Sequence, residues 1–459
     1  MPEEGRPLQH QQQCREIHIM RRNEESVETK LQRIAEKAHS APKCQFTSLF
    51  HLMNEDLLWE CFWHLKENRA SGVDRVTKEQ YAENLMDNLD NLIGRLHRMA
   101  YIPQPVRRVY IPKPGSEKKR PLGIPALEDK LVQAGLSKIL QAIYEQDFID
   151  DSYGFRPNRS CHDALRTVSQ TIERHGTEYI VEADIKGFFD NVDQDQLMEF
   201  LAHRIADKRV LRYIKRFLKA GIQEDGMYRA SDRGTPQGGV ISPLLANIYL
   251  HYTLDLWFQG RFRQTCTGAV RYIRYADDYV ACFKHEADAK RFRIEMEQRL
   301  RQFGLEIAPE KTKILEFGPM AQRRAIKRGE RKAETFDFLG FTHYCTVTRS
   351  GKSFRTGRKT ISKRMSAKLR LYKQWLRSNR TLPTVEIMRT TANKLRGHFA
   401  YYGVSGNGKS ISNFAYEVRM ILFKWLGRRG KRRSLSFMKF DLLLKRFPLP
   451  VARIMVNLW

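Results

Sequence analysis

The sequence predicts an α+β fold of two or three domains, with strands and helices in the first three quarters and helices alone in the last. Length is the first observation, because 459 residues exceed the roughly 250–300 at which a single core stops growing. The second is a set of short β-branched or aromatic runs bounded by turn residues, all before residue 345. The third is the pattern after Gly351, where apolar residues recur only at helical spacing.

The N-terminal third is predicted to be a flexible arm followed by helices and a hairpin. Residues 1–45 form the polar arm, and apolar residues then recur every three or four positions in "FTSLFHLMNEDLLWECFWHLKEN". Gly72 and Asp74 mark a turn after these helices. "RRVYIPKPGSEKKRPLGIP", residues 107–125, predicts two strands around a Pro-Gly turn.

The middle third alternates helices with strands. "SCHDAL" opens a helix with Ser160 as the N-cap of a capping box, and residues 179–184 form a β-branched strand. The glycine-rich "RGTPQGG" leads into a helix expected to take Ser242 as N-cap and Pro243 as first residue. "GAVRYIRYADDYVACF" predicts a hairpin with its two aspartates at the turn, and "FDFLGF", 336–341, predicts another short strand.

The net positive charge is distributed unevenly along the chain. There are 81 Lys+Arg against 52 Asp+Glu, a net +29, and the segment from Gly351 to Trp459 alone holds +23 of it. A surplus of this size indicates a polyanionic partner. A solvated, lysine-rich tail is the alternative, but Leu, Phe, Tyr and Trp at helical spacing argue against it. The sequence therefore predicts a nearly neutral body joined to a region that grips nucleic acid.

Several classes of protein are disfavoured. The seven cysteines are scattered without a CxxC pair, which indicates free thiols in a reducing compartment and no zinc framework. The N-terminal residues have no apolar core of a secretory signal, and no apolar stretch approaches the roughly 18 residues of a membrane span. We therefore expect a soluble cytoplasmic protein.

The adjacent aspartates of "RYIRYADDYV" predict a metal site. Asp277 and Asp278 would crowd one region at a hairpin turn, where two uncompensated carboxylates repel each other. A divalent cation such as Mg²⁺ relieves this repulsion, and Asp184, at the end of the strand 179–184, is the candidate third ligand. Such a set suits two metal ions that assist an in-line phosphoryl transfer, whereas a capping aspartate is the alternative for Asp184.

The order of these motifs resembles that of reverse transcriptases. "YADD" follows "YGFRPNRSCHDAL", "EADIKGFFDNVD" and "TPQGGVISPLLANIYL" and precedes "FDFLGF". More narrowly, "RASGVDRVT", "IPKPGSEKKRPLGIP" and "KLRGHFAYYGVSGN" resemble the reverse transcriptase–maturase proteins encoded by bacterial group II introns. The resemblance runs from about Phe46 to the end. It implies a right-hand polymerase with an antiparallel palm sheet and an all-α thumb, or maturase, domain.

The resemblance also implies residue roles in the palm. Asp184, Asp277 and Asp278 would be the catalytic metal-binding triad, completed by the backbone carbonyl of Ile185. Phe189 would be the sugar gate, because a rigid ring beneath C2′ leaves no room for a 2′-hydroxyl. An ordinary core phenylalanine is the alternative, and Phe188 is expected to be one.

Nucleotide and primer contacts follow in the same way. The residues expected to bind the incoming nucleotide are Lys113 and Arg120 at its triphosphate, with Gln237 and Ala276. Lys118 and Lys119 are expected to be solvated, which is also the alternative for the whole basic hairpin. Gly238 and Gly239 would let backbone approach the substrate closely, although "PQGG" could equally be a plain turn. Leu339 and Gly340 would steer the primer terminus.

The resemblance divides the chain into domains. Fingers and palm would span 46–345, the helical thumb or maturase domain 351–425, and a short basic DNA-binding tail 426–459. Arg396, His398, Tyr401 and Tyr402 are candidates for RNA contact, with core packing as the alternative for the tyrosine pair, and "GRRGKRR" (427–433) is a further nucleic-acid contact. No paired metal-binding Cys or His cluster is present, so a member lacking the C-terminal HNH-type endonuclease domain is expected, using targets such as single-stranded DNA at replication forks.

We therefore expect an RNA-directed DNA polymerase of the group II intron type, which synthesises cDNA by two-metal nucleotidyl transfer and binds intron RNA to assist splicing and retrohoming. Its cofactors would be two Mg²⁺ ions, for which Mn²⁺ can substitute. Its partners would be RNA template, intron RNA, DNA primer and target, and dNTPs, with no membrane; the oligomeric state stays open, a dimer included. An RNA-binding splicing factor with an idle polymerase and a free-standing reverse transcriptase of host defence are the alternatives.

Overall fold

A computed structural model of the protein describes residues 26–112, 119–235, 238–348, 350–429 and 435–459. Within these ranges the strands are β1 (Val106–Pro112), β2 (Lys119–Ile124), β3 (Tyr179–Asp184), β4 (Ile222–Glu224), β5 (Met227–Arg229), β6 (Val270–Tyr275), β7 (Asp278–Phe283), β8 (Lys313–Glu316), β9 (Phe336–Phe338), β10 (Phe341–Val347) and β11 (Phe354–Thr360). The α-helices are α1 (Val27–Ser40), α2 (Glu55–His64), α3 (Lys78–Ala82), α4 (Leu85–His97), α5 (Leu127–Tyr144), α6 (Cys161–Arg174), α7 (Phe188–Asn191), α8 (Gln194–Ala202), α9 (Lys208–Lys219), α10 (Ser242–Leu250), α11 (Glu286–Gln302), α12 (Ala321–Lys327), α13 (Ser362–Ser378), α14 (Thr384–Tyr402), α15 (Gly408–Leu426) and α16 (Phe437–Arg446). None of these helices is long and apolar enough to cross a membrane, and the cysteines of the described ranges are all free.

The first described segment is a helix, although the sequence predicted a flexible arm over residues 1–45. α1 begins after Ser26, whose side chain caps it. The almost fully buried Arg204 donates to the carbonyl of Ala38 at 3.0 Å and pairs with Asp147 at 3.0 Å. The prediction failed over α1 because this anchor comes from a residue 166 positions farther along the chain than Ala38.

The predicted hairpin of residues 107–125 is confirmed as β1 and β2. They pair antiparallel, with Arg107 opposite Ile124, whereas the Pro-Gly turn between them lies outside the described residues. β1 also pairs in parallel with β4, and β5 follows antiparallel, so this sheet has the order β2-β1-β4-β5.

The central sheet contains the predicted strand and the predicted aspartate hairpin, and both are confirmed. Its order is β6-β7-β3-β8, with every neighbouring pair antiparallel. Successive residues of a strand point to opposite faces, so Val181 and Ala183 join the larger core, which also contains α10 and α11. Ile180 and Cys282 join a second core shared with the C-terminal helices. The sheet is therefore covered on both faces.

Two helix starts were predicted, and one of them is shifted. α6 begins after Ser160, which forms the predicted capping box. α10 begins at Ser242 itself, with Ile241 in the cap position, so the prediction of Ser242 as N-cap was wrong by one residue. The Oε1 atom of Gln133 on α5 accepts the Val240 amide at 2.8 Å, and this contact fixes the entry of the chain into α10.

A third sheet, of order β11-β10-β9, includes a strand where only helices were expected. β11 pairs antiparallel with β10 along its whole length, so the expectation that only helical patterns follow Gly351 was wrong. The strand was missed because its buried side chains are polar, with Thr356 and Arg358 both 0% exposed.

The strand predicted over 336–341 is two strands joined by a tight turn. β9 ends at Phe338, which pairs with Phe341 of β10. Leu339 and Gly340 lie between them with φ of 47° and 84°, as a two-residue hairpin turn requires.

The C-terminal helices α13–α16 are tied to the body of the molecule through β11. Arg358 donates to the Ser405 carbonyl at 3.2 Å and to the hydroxyl of Ser169 on α6. The side-chain oxygen of Asn407 accepts the Thr360 amide at 2.9 Å. The β10–β11 hairpin thus spans the expected boundary between residues 345 and 351, and that boundary stays a prediction.

Candidate active site

The end of β3 positions the first predicted carboxylate. Asp184 is the last residue of β3, and the next residue, Ile185, forms an isolated antiparallel bridge with Ile307. The hydrogen bonds of that bridge use the Asp184 carbonyl and the Lys186 amide. They leave the Ile185 carbonyl out, and this carbonyl is the one that the sequence proposed as a metal ligand.

The turn between β6 and β7 positions the other two. Tyr275 pairs with Asp278 across the hairpin, so the turn consists of Ala276 and Asp277. Ala276 has φ 57°, a left-handed conformation that is uncommon for a residue with a Cβ atom. Asp184 lies directly opposite Asp278 in the β3–β7 register, where Cα atoms are about 4.5–5.5 Å apart. All three predicted carboxylates therefore lie at one end of the central sheet.

These carboxylates oppose one another's ionisation. Asp278 is exposed, yet the surrounding protein displaces enough water, and Asp277 and Asp184 add enough negative charge, to raise its pKa to about 6. The pKa of Asp277 is also raised, mainly by burial and further by Asp184. The cations Arg364 and Lys311 partly offset the rise at Asp278.

Lys311 supplies positive charge beside the predicted triad. Its ammonium pairs with Oδ2 of Asp184. Carboxylate oxygens with raised proton affinity are hard donors that match a divalent cation such as Mg²⁺, so the chemistry of this donor set fits the predicted cofactor. Within the part of the chain that the structure describes, no group of three or more His, Cys, Asp or Glu is arranged to hold a metal ion. Metal binding would thus require these side chains to turn, and Lys311 to leave Asp184.

Two further acids, neither of them predicted from the sequence, lie near the triad. Glu182 precedes Asp184 by two residues and shares its face of β3, and burial together with nearby Asp337 raises its pKa to about 7. Asp337, on β9, is exposed and accepts the Thr342 hydroxyl at 2.6 Å. The period of two along β3 could have revealed Glu182, whereas Asp337 comes from another sheet and left no signal.

The two phenylalanines after β3 have different environments. Phe188 is 2% exposed, which confirms the expectation that it is a core residue. Phe189 packs edge-on against it at 5.4 Å between ring centroids and is only half-buried. The Phe189 carbonyl accepts the Thr235 amide at 2.8 Å, and a Cβ atom on Gly234 would lie 2.6 Å from the same oxygen. The backbone of the candidate sugar gate is therefore in close contact with Gly234 and Thr235 of the glycine-rich segment.

The residues proposed to bind the nucleotide are only partly described. Lys113, Lys118 and Gln237 lie outside the described residues. Arg120 is exposed on β2, and its positive charge partly offsets the rise in the pKa of Asp277. Arg120 therefore acts electrostatically on the triad, and Ala276 adjoins it in the chain.

The glycine-rich loop packs against protein at Gly238. Gly238 has φ 112°, and a Cβ atom there would lie 2.3 Å from the Gly123 carbonyl oxygen of β2. The close approach expected between this glycine and a substrate is thus made with the backbone of the hairpin. Gly239 is buried.

The Leu339–Gly340 turn, proposed to steer the primer, is braced by the C-terminal helices. The Tyr401 hydroxyl donates to the Leu339 carbonyl at 2.8 Å. A Cβ atom on Gly340 would lie 3.0 Å from the Arg364 guanidinium and 3.1 Å from the Tyr402 hydroxyl. Motion of α13 or α14 would therefore be felt at this turn.

Among the candidates for RNA contact, two belong to the core. His398 and Tyr402 are each 3% exposed, and the His398 ring stacks on Phe414 with centroids 3.7 Å apart. Burial lowers the pKa of His398 to about 3. The core alternative is thus confirmed for Tyr402, and RNA contact was wrong for His398. Arg396 is exposed, and Tyr401 is half-buried.

A basic groove on the C-terminal helices was found only from the structure. It has a volume of about 610 Å³ and is lined by five cations together with Gln374 and Trp425, the cations being Arg370, Lys373, Arg377, Arg380 and Arg428. Arg428 belongs to the predicted basic cluster 427–433, of which residues 430–433 lie outside the described residues.

Comparison with known proteins gives a consistent set of similarities. Residues 111–343 match the family described as reverse transcriptase (RNA-dependent DNA polymerase). The group II intron-encoded protein LtrA of Lactococcus lactis is 29% identical over 87% of this chain and 78% of its own length. Protein YkfC of Escherichia coli is 40% identical over 48% of this chain and 65% of its own length. An uncharacterized 91 kDa protein in the cob intron of Schizosaccharomyces pombe is 36% identical over 54% of this chain and 31% of its own length.

Proposed function

The chain belongs to the reverse transcriptase (RNA-dependent DNA polymerase) family, and from this premise we propose that it is the polymerase of a group II intron. It is an RNA-directed DNA polymerase with an α+β fold of the right-hand type. The similarity to an intron-encoded protein over 87% of the chain supports the intron assignment. It also supports a second activity, binding of the intron RNA to assist splicing and retrohoming.

The observation that carries this proposal is the meeting of three carboxylates at one end of the central sheet. Asp184 lies opposite Asp278 in the strand register, and Asp277 occupies the adjoining turn. Burial, together with the negative charges of Asp277 and Asp184, raises the pKa of Asp278 to about 6, and bound cations would relieve this unfavourable ionisation. We propose these three aspartates, with the Ile185 carbonyl, as the ligands of two Mg²⁺ ions, for which Mn²⁺ can substitute.

The reaction is the attack of a primer 3′-hydroxyl on the α-phosphorus of a dNTP. A new P–O bond forms, the bond to pyrophosphate breaks, and the hydroxyl proton passes to solvent. Bound divalent cations would supply charge stabilisation at the attacking and leaving oxygens. The three aspartates would hold these cations, and Lys311, which pairs with Asp184 in the structure, would give up that contact when the cations bind.

The surrounding residues would select and orient the nucleotide. Phe189, half-buried at the edge of the site, would exclude a 2′-hydroxyl by its ring. Arg120 and Lys113 would hold the triphosphate, because guanidinium and ammonium groups both suit phosphate oxygens. Gln237 and Ala276 are proposed as further contacts of the nucleotide.

The basic C-terminal region would bind RNA and target DNA. It carries +23 of the net charge, and its groove of five cations, at about 610 Å³, is suited to a phosphate backbone. Phosphate neutralisation gives affinity without sequence readout. RNA template, intron RNA, primer and target DNA are the proposed partners.

Primer extension on an RNA template tests the proposal. Asp277→Asn should reduce the extension rate by about a thousandfold or more, because a lost ligand removes several kcal/mol of transition-state stabilisation. The matched control is Asp195→Asn, which neutralises an exposed carboxylate at the start of α8. RNA affinity, measured by fluorescence anisotropy, should stay unchanged in both variants.

Two results would contradict the proposal. Robust extension by purified Asp277→Asn in Mg²⁺ would remove this residue from the triad. A folded wild-type protein that binds intron RNA but extends no primer would favour the alternative of a splicing factor with an idle polymerase.

A further inference from the structure

Arg274 is a fully buried arginine two residues before Ala276, the first residue of the turn that carries Asp277. It lies on β6 and is 0% exposed, as is its partner Asp255. Its Nε and Nη2 atoms donate to the two oxygens of Asp255 at 2.9 Å and 2.5 Å. Asp255 ends a wider, π-helical turn, His251–Asp255, that continues α10. Such turns are rare and occur often at functional sites.

The remaining contacts of this guanidinium lead to the turn. Its Nη1 atom donates to the Asn247 side-chain oxygen at 2.9 Å and to the Ala276 carbonyl at 3.1 Å. Asn247 in turn donates to the Gly154 carbonyl at 2.6 Å, and a Cβ atom on Gly154 would lie 2.3 Å from the Ala276 amide nitrogen. Arg274 thus binds the carbonyl of Ala276, and the backbone of Gly154 packs against its amide nitrogen.

A contribution to folding stability does not by itself explain the buried Arg274–Asp255 pair. Removing two charges from water costs as much as, or more than, their attraction returns, so a buried pair is often replaceable by apolar residues without loss. A left-handed, non-glycine residue such as Ala276, with φ 57°, persists only where its surroundings over-determine it. Arg274, Asp255 and Asn247 hold Ala276, the residue before Asp277, in this conformation.

We propose that Arg274 is a positioning residue for Asp277, with Asp255 and Asn247 as its supports. By fixing the Ala276 carbonyl, Arg274 sets the direction of the peptide between Ala276 and Asp277, and so the direction in which the Asp277 carboxylate projects. This inference rests on the proposed function, because it takes Asp277 to be a metal ligand. Mg²⁺ demands near-ideal octahedral geometry, so a small error in this direction weakens the site.

Arg274→Lys is the decisive substitution, because it keeps the charge and removes the fork that binds Asp255, Asn247 and Ala276 together. The matched control is Arg204→Lys, which makes the same change in another buried arginine, 3% exposed, that pairs with Asp147 far along the chain from the turn. Both variants should lose thermal stability to a similar degree. A merely structural role therefore predicts the same behaviour for both.

Two readouts separate positioning from structure. The first is Mg²⁺ binding without substrate, followed as the rise in melting temperature over a Mg²⁺ series; the half-saturating concentration should increase by about 10- to 100-fold in Arg274→Lys. The second is primer extension, where kcat should fall by about the same factor and the KM for dNTP should be unchanged. Arg204→Lys should match the wild type in both.

A double variant shows whether Arg274 acts through Asp277. Adding Arg274→Lys to Asp277→Asn should change nothing further in Mg²⁺ binding or rate, since the group being positioned is already lost. If Arg274→Lys fails to fold, Asp255→Asn replaces it, because the amide keeps the shape and one acceptor, and the same shift in Mg²⁺ binding is expected.

Failure of the inference differs from failure of the proposed function. Wild-type Mg²⁺ binding and kcat in Arg274→Lys, or in its Asp255→Asn substitute, beside an inactive Asp277→Asn, would overturn the positioning role alone. An active Asp277→Asn would overturn the proposed function first, and with it the premise of this cluster.

Discussion

Replacing Gly154 by alanine should slow DNA synthesis by displacing the turn that carries Asp277. The added Cβ atom would lie 2.3 Å from the Ala276 nitrogen and 2.9 Å from the Tyr275 carbonyl carbon. Because non-bonded heavy atoms prefer separations of about 3.5–4.0 Å, the turn must move by roughly 1 Å. A 1 Å misplacement of a catalytic group can cost about a hundredfold in rate, which corresponds to about 2.7 kcal/mol in the activation barrier.

The assay is single-turnover primer extension at saturating dNTP and Mg²⁺, with the folded fraction measured by thermal unfolding. Gly260→Ala is the matched control, because nothing lies within 4 Å of a Cβ atom at that glycine. It should retain the wild-type rate, whereas Gly154→Ala should lose about two orders of magnitude while it stays folded. A folded Gly154→Ala protein with the wild-type rate would refute the idea that the position of this turn sets the placement of Asp277.

Three further predictions follow from the site and the charge distribution. Phe189→Ala should improve the use of ribonucleotides relative to deoxyribonucleotides, since the ring no longer blocks a 2′-hydroxyl; an unchanged preference in single-nucleotide kinetics would return Phe189 to the core. Asp278→Asn should raise the melting temperature of the metal-free protein above pH 6 but not near pH 4. The raised pKa of about 6 means that the wild-type carboxyl stabilises the fold when protonated and loses that contribution as the pH rises through this value; a pH-independent difference would contradict this. Neutralising the basic cluster should reduce the slope of log RNA affinity against log salt concentration by about 0.7 per lost phosphate contact. Equal slopes for the wild type and the variant would show that the cluster faces solvent. The residues to neutralise together are Arg428, Arg429, Lys431, Arg432 and Arg433.

The central sheet could be predicted from the sequence because each of its predicted strands is marked by residues that are neighbours in the chain. The strand 179–184 and the aspartate hairpin are apolar runs bounded by turn residues, and their ends fix where Asp184, Asp277 and Asp278 lie. The capping box at Ser160 was equally readable, since cap and partner are three residues apart.

What the sequence could not predict depends on distant partners. α1 is held by Arg204, and Asp184 is neutralised by Lys311, which is 127 positions away. β11 was missed because hydrophobic periodicity does not detect buried polar residues such as Arg358, whose guanidinium donates to Ser169, 189 positions away. Such contacts form only when the tertiary structure brings the groups together.

The β10–β11 hairpin has a consequence for exchanging parts between related proteins. A chimera joined between residues 347 and 354 would combine strands from two parents and would confront Arg358 with a foreign residue at the position of Ser169. A junction after Thr360 keeps both within one parent. The Arg358 contact that then crosses the junction is with the Ser405 backbone carbonyl, an acceptor that any residue supplies. We therefore expect an exchanged C-terminal segment to begin at α13, about ten residues beyond the boundary that composition and helical pattern suggest, and to keep Asn407, whose side chain accepts the Thr360 amide.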